Sequence, residues 1–294
     1  MKKFLFALLA FSSLICFSCA KSEKVVKMGT NAAFPPFEWI EGKDVVGFDI
    51  TLSNLIANDY GQKLKVVDMS FDGLIAALQA GSVDFIASGM TATDERRKSV
   101  DFSDPYYSSK QTIIVRADDK SVSTVSDLKN KSIGVQAATT GEIYATEEIE
   151  GSKVKSFKTV IDAALALKNG AIDSIIVDEL PAKEIVKRNP ELKIVDDDFF
   201  TDEYAIAVRK GNKELLDSIN KTIRTIKANG VYQKINEAFM PLDGDVKILF
   251  SEILKSAKMQ PKTEPIKIAQ RAMNKVAPRP LGINIQRPWL IITS

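Results

Sequence analysis

Eight residues recur in this chain with conservative changes, and that repeat limits the fold more than any other feature. Ala77-Leu78-Gln79-Ala80-Gly81-Ser82-Val83-Asp84 matches Ala166-Leu167-Lys168-Asn169-Gly170-Ala171-Ile172-Asp173, 89 residues further on. The setting of the two copies is also the same. Leu64–Met69 alternates as a strand, Gly73–Ala80 carries Leu74, Ala77 and Leu78 on one helical face, Gly81 stops that helix, and Val83–Ser88 is strand-like. In the second copy Lys153–Phe157 is the strand, Thr159 caps a helix through Lys168, Gly170 ends it, and Ile172–Val177 is the following strand. Two copies are too few for a solenoid. They predict an α/β chain with two similar βαβ lobes, each built on a mostly parallel sheet flanked by helices.

The chain closes this body with two amphipathic helices. Asn212 opens one with Leu215, Leu216, Ile219, Ile223 and Ile226 at helical spacing, Gly230 stops it, and Val231, Ile235 and Phe239 mark the other. These stripes are core contacts and carry no ligand role. After Met240 the composition shifts: residues 241–294 hold nine Lys/Arg against four Asp/Glu and much of the chain's proline. That stretch is expected to be a basic appendage with at most one helix.

At the other end, Lys2-Lys3 precedes an apolar run from Phe4 to Phe17 interrupted only by Ser12 and Ser13. It is short for a membrane span and reads as an export signal. Both cysteines, Cys16 and Cys19, lie at its end. Residues 1–19 are therefore read as a lipoprotein-type signal peptide with lipidation at Cys19, and cleavage near Ala20 is the rival. A net charge of +2 gives no electrostatic footprint for nucleic acid. Histidine is absent, which removes His-based triads, His metal ligands and imidazole bases. No metal site and no cofactor is expected.

In open α/β sheets, ligands bind beyond the carboxyl ends of the strands. In the first copy that position is Ser88-Gly89-Met90-Thr91, followed by Thr93-Asp94-Glu95-Arg96; in the second it is Asp178-Glu179. If the lobes face each other, a guanidinium and a carboxylate confront one another, the two groups that a zwitterion needs. Thr139-Thr140-Gly141-Glu142 opens a further helix whose free N–H groups could bind an anion. The plainer alternative is that Thr93 and Thr140 are N-caps and Arg96 pairs with Asp94 or another nearby acid.

Several stretches resemble the family 3 extracellular solute-binding proteins, the polar amino-acid receptors of ABC importers. They are Thr30–Glu38 (TNAAFPPFE), Gly47-Phe48-Asp49-Ile50, Phe71–Leu78 (FDGLIAAL), Gly89–Arg96 (GMTATDER), Asp101–Tyr107 (DFSDPYY) and Asp202-Glu203-Tyr204. Together they run from about Lys24 to Phe239. The resemblance implies a two-lobed periplasmic-binding-protein fold joined by a two-segment hinge. Lobe 1 would comprise 24–113 plus 208–240 and lobe 2 114–207, with the hinge near Thr112–Arg116 and Tyr204–Val208. By the same resemblance, Arg96 with Thr91 and Thr140 binds a ligand α-carboxylate, and Asp178 binds the α-ammonium. Phe34 and Phe71 stack on the ligand side chain, while Gly89 and Met90 supply backbone groups and an apolar wall.

This chain departs from the family pattern twice. Ala138 stands where the family usually has Gly, which puts Thr140 in doubt, and Asn31 stands where some cation-binding members carry an acid. Asp49 and Asp72 are expected as helix caps and Asp196-Asp197-Asp198 as a solvated loop. Glu38 is divided between the pocket rim and solvent.

The function implied is capture of a polar amino acid by an exported, lipid-anchored monomer and its delivery to membrane permease subunits. The alternatives are a sensory or surface-interaction binding protein, or a cyclohexadienyl dehydratase-like enzyme with an acid such as Glu179 as base.

Overall fold

The computed structural model describes residues 24–240, apart from Asp196 and Asp198. The expected signal segment with Cys16 and Cys19 and the expected appendage at 241–294 lie outside the described residues.

Two sheets carry the chain. The first half supplies β1 (Val25–Thr30), β2 (Ala33–Phe34), β3 (Glu38–Glu41), β4 (Asp44–Val46), α1 (Phe48–Asp59), β5 (Lys63–Asp68), α2 (Leu74–Gln79), β6 (Phe85–Ile86), α3 (Asp94–Ser99) and β7 (Val100–Phe102). The long β8 (Tyr107–Arg116) leads to β9 (Ser132–Gln136), α4 (Thr140–Glu147), β10 (Lys153–Phe157), α5 (Val160–Lys168), β11 (Ser174–Asp178), α6 (Glu179–Arg188) and β12 (Leu192–Val195). The chain returns through β13 (Thr201–Tyr204) and β14 (Ala207–Arg209) to α7 (Lys213–Ala228) and α8 (Val231–Phe239). The first sheet is ordered β5-β1-β6-β14-β7 and the second β10-β9-β11-β8-β12, with β13 paired to β8; β2, β3 and β4 form a small third sheet.

The repeated octapeptide has the same structural role in both lobes. Gly81 (φ 77°) and Gly170 (φ 70°) take the left-handed conformation that ends α2 and α5, a region open to glycine at little cost. Beyond them Asp84 accepts the Lys27 N–H and Asp173 accepts the Ser132 N–H, both at 2.8 Å. Each acid thus pins the early part of the strand that lies between the two strands of its unit. The structure adds one point to the sequence reading: the two strands of each unit are not neighbours. β1 lies between β5 and β6, and β9 between β10 and β11, all in parallel register.

The strand expected over Val83–Ser88 is confined to β6, because the chain turns at Gly89 (φ 49°). The crossings between the sheets also differ from expectation. Thr112–Arg116 lies inside the second sheet, paired with β11 and β12, and is not a connection. Residues 103–106 and 205–206 cross instead, side by side: the Ser103 N–H donates to the Ile206 carbonyl and the Tyr106 N–H to the Tyr204 carbonyl, each at 2.9 Å. The terminal helices bury the stripes read from the sequence: Leu215, Ile219, Ile223 and Ile226 on α7, and Val231, Ile235 and Phe239 on α8. Among the described residues no helix is long and apolar enough to cross a membrane.

Candidate functional site

Four parallel strands, two from each sheet, end at one cleft. Asn31 follows β1, Ser88 and Gly89 follow β6, Gln136 ends β9 and Asp178 ends β11. All five line a space of about 340 Å³, open mouth included, together with Phe34, Glu38, Phe71, Thr91, Arg96, Thr139 and Thr140. That is the size and position expected of a small-molecule site in two facing α/β sheets.

Eight of the nine ligand residues read from the sequence meet here; the ninth does not. Met90 is 1% exposed and packs with Leu74, Leu78 and Val100 in an apolar cluster, because the turn at Gly89 sends the next side chain inward. Its contribution is to the fold, since its carbonyl accepts the Ala205 N–H.

Arg96 projects from the first turn of α3, whose N-cap is Thr93. It does not pair with Asp94. Its Nη1 donates to the Thr91 carbonyl and its Nη2 crosses the cleft to the Ala138 carbonyl, both at 2.7 Å. The guanidinium lies over the Phe71 ring, 5.4 Å from its centroid. Burial lowers its pKa to about 10, against the opposing pull of the Asp202 charge, so it remains cationic at neutral pH. Two of its five N–H groups are engaged, which leaves a fork for a carboxylate.

Asp178 stands at the end of β11 and at the N-cap position of α6, yet makes no side-chain cap. Its Oδ1 accepts the Tyr204 hydroxyl. Burial raises its pKa to about 6, held down in part by the Tyr204 hydrogen bond. Glu179 turns away to pair with Lys183 on the surface of α6 and does not line the cleft. That removes the only base named for an enzymatic reading.

Thr139, not Thr140, is the N-cap of α4. Thr140 opens the helix, and its hydroxyl donates to Asp202 at 2.7 Å, an acid that also accepts Gln111 Nε2 at 3.0 Å. Ala138 adopts φ 63°, so the residue found in place of Gly is held in the left-handed region. Its methyl does not prevent the cleft from forming; its carbonyl accepts Arg96.

Asn31 does not offer a free side chain. Its Nδ2 donates to the Met69 carbonyl and its Oδ1 accepts Gln136 Nε2 across the cleft, both at 2.9 Å. Asn31 and Gln136 therefore clasp the two lobes together. The acid on this side of the cleft is instead Glu38, which is fully buried rather than solvated. A relay runs from the Asn31 N–H to Ser88 Oγ at 3.0 Å, and from Ser88 Oγ to Glu38 Oε1 at 2.8 Å.

Asp49 is also buried and is not a cap; α1 begins at Gly47 with no side-chain cap bond. Its Oδ2 accepts the Gly89 N–H at 2.9 Å and the Tyr106 hydroxyl at 2.7 Å, which fixes the left-handed turn that carries Ser88 and Thr91. Asp72 is exposed in a 3-10 turn and makes no side-chain cap bond. Asp197 accepts the Val125 N–H at 2.6 Å, and Asp196 and Asp198 lie outside the described residues. Among the described residues no group of acids and cysteines is placed to hold a metal ion.

Ser88, Gln136 and Thr139 carried no role in the sequence reading. The carboxyl-end rule points to Gln136 once β9 is drawn, and Ser88 and Thr139 lie within stretches already singled out.

The chain is 36% identical over 247 residues to the ABC transporter arginine-binding protein 1 of Escherichia coli K12, covering 82% of this chain and all of that one. It is 38% identical over 250 residues to a probable histidine-binding protein of Campylobacter jejuni, covering 80% and 97%. A crystal structure of the substrate-binding protein of an amino acid ABC transporter superposes with a TM-score of 0.71 at 44% identity, covering 74% of this chain and all of that one. Residues 26–241 match the bacterial extracellular solute-binding proteins, family 3, and the chain belongs to that family of binding proteins.

Proposed function

We propose that this chain captures an amino acid with a cationic side chain and delivers it to the membrane permease of an ABC importer. The charge count of the cleft carries this reading. Among the described residues three acidic or basic side chains line it: Arg96, Asp178 and Glu38. An amino-acid backbone uses the first two, its carboxylate on Arg96 and its ammonium on Asp178. Glu38 then remains, buried against Ser88. A basic amino acid has two positive groups and one negative, the complement of this set, and buried charge is stable only when matched. The arginine- and histidine-binding relatives support the same choice.

Thr91 and Thr140 assist at the carboxylate end, and Gly89 brings backbone close to the ligand. A Cβ at Gly89 would stand 3.0 Å from the Phe34 ring on a backbone with φ 49°, so a side chain there would be strained. The sequence of the first 19 residues supports export and anchoring through a lipid on Cys19.

The test is calorimetric titration with arginine, lysine, histidine, glutamine and glutamate. Binding should rank the cationic ligands first. Preference for glutamate, or for an apolar amino acid, would refute the assignment of Glu38.

A further inference from the structure

Beneath the cleft, two carboxyl groups face one another without enough hydrogen for both. Glu38 and Asp49 are each fully buried and within hydrogen-bonding reach of each other. Their outer oxygens have donors: Ser88 serves Glu38 Oε1, and Gly89 and Tyr106 serve Asp49 Oδ2. The other two, Glu38 Oε2 and Asp49 Oδ1, are buried and have no donor. A buried acceptor without a partner destabilises the fold, and two facing carboxylates do so more.

We infer that Glu38 and Asp49 share one proton while the cleft is empty, and that the cationic end of the ligand expels it to solvent, so that capture is coupled to proton release. This rests on the proposed function, because a ligand that is neutral at this end has no reason to displace the proton.

The surroundings support it from every side. Asp68 at the end of β5 adds a further negative charge, and burial and Asp49 both push the Glu38 carboxyl well above the ordinary range. Asp49 is raised to about 6 by burial, opposed by its hydrogen bonds from Tyr106 and Gly89. Tyr106 is itself pushed up by burial and by Asp49, so it stays a neutral donor. Across the cleft stand Gln136, which is uncharged, and Asp178, which adds negative charge; on the same lobe Arg96 has its guanidinium engaged with the Thr91 and Ala138 carbonyls. A proton can satisfy both orphan oxygens at once. A guanidinium or ammonium reaching Glu38 supplies donors and charge together, after which the proton is no longer needed.

The empty protein and the arginine complex can be compared by infrared spectroscopy at about pH 7.5, where Asp178 is ionised. The empty protein should show the carbonyl stretch of a protonated carboxylic acid, and saturating L-arginine should remove it. Calorimetry in buffers of different ionisation enthalpy should count up to about one proton released. The arginine affinity should then rise by as much as about tenfold per pH unit while the pair holds its proton. Glu38→Gln should abolish the acid band, which locates it. An empty protein without the band overturns the shared proton even if arginine binds. Arginine binding that leaves the band in place, or heats that do not depend on the buffer, overturns the coupling. Absence of any binding by arginine, lysine or histidine sinks the functional reading and the coupling with it, while the band still decides whether the proton is shared.

Discussion

Asp178→Asn separates what this carboxylate does for the ligand from what it does to the fold. In the empty protein the group is desolvated, which raises its pKa from 3.8 to about 6. A carboxyl that binds its proton more tightly when folded than when unfolded favours the fold below about pH 4. That contribution is lost as the pH rises from about 4 to about 6 and is absent above it. The shift of about 2 units corresponds to about 3 kcal/mol of native-state cost at pH 8. Asparagine keeps an oxygen for the Tyr204 hydroxyl and carries no charge. The empty variant should therefore be more stable than wild type at pH 8, by up to about 3 kcal/mol, and should gain little at pH 4. Binding should go the other way. Without the charge, the ligand ammonium is buried opposite a neutral amide, and loss of one member of such a pair costs about 2–5 kcal/mol, or about 30-fold to several thousandfold in affinity. Urea unfolding of the empty protein at both pH values, with calorimetry for arginine, reads both effects. A variant that is less stable at pH 8, or that binds within fivefold of wild type, would refute the argument.

The other expectations are more local. Arg96→Ala should weaken binding by about 3–5 kcal/mol with the fold retained, and Arg96→Lys should recover only part of it because an ammonium cannot form the planar fork; binding within fivefold would reduce Arg96 to a lobe-bridging residue. Ala138→Gly should stabilise the protein by about 0.5–1 kcal/mol, since a left-handed residue other than glycine costs about 1–2 kcal/mol and the added chain entropy of glycine offsets part of that. A thermal midpoint raised by about 1–4 °C would show it, and a lowered midpoint would contradict it. Metabolic labelling with a fatty acid should tag wild type and spare Cys19→Ser; labelling that survives in the variant would move the anchor to Cys16.

How much of this was legible in the sequence depends on how local the cause is. β10 and α5 were found at their ends because Thr159 caps within its own first turn, accepting the Asp162 N–H at 3.1 Å, and Gly170 ends the same helix. The octapeptide carried a helix stop and a strand-pinning aspartate together, so two copies revealed both lobes. Asp49 failed for the opposite reason. An acid near the start of a helix looks like a cap, but its partners, Gly89 and Tyr106, lie 40 and 57 residues away. Met90 and Glu38 were misjudged, or left undecided, because the turn at Gly89 and the small sheet of β2, β3 and β4 set their direction. The hinge was placed too far along β8, whose first half pairs with β13 and whose second half pairs with β11 and β12; one unbroken strand serves both connection and sheet.

These features bear on how closure is tied to the ligand. The lobes hold each other through Gln136 and Asn31 and through Arg96 and the Ala138 carbonyl. One apolar cluster joins Phe34 and Phe37 of the first lobe to Val160 and Ala163 of the second. These contacts stabilise the closed form against an open one. A ligand can shift that equilibrium only through free energy that differs between the open and closed states. The charges supply the difference. Closing removes water from Asp178 and Glu38 while the single lining cation, Arg96, is engaged with carbonyls. The closed empty cleft is left with excess negative charge, which open solvent would have screened. A cationic amino acid restores the balance at both acids and offers Arg96 a carboxylate. A neutral one leaves Glu38 dependent on its shared proton, and an acidic one adds charge of the wrong sign. On the proposed function, selectivity and closure would have one origin, the mismatch of buried charge that the lobes create when they meet.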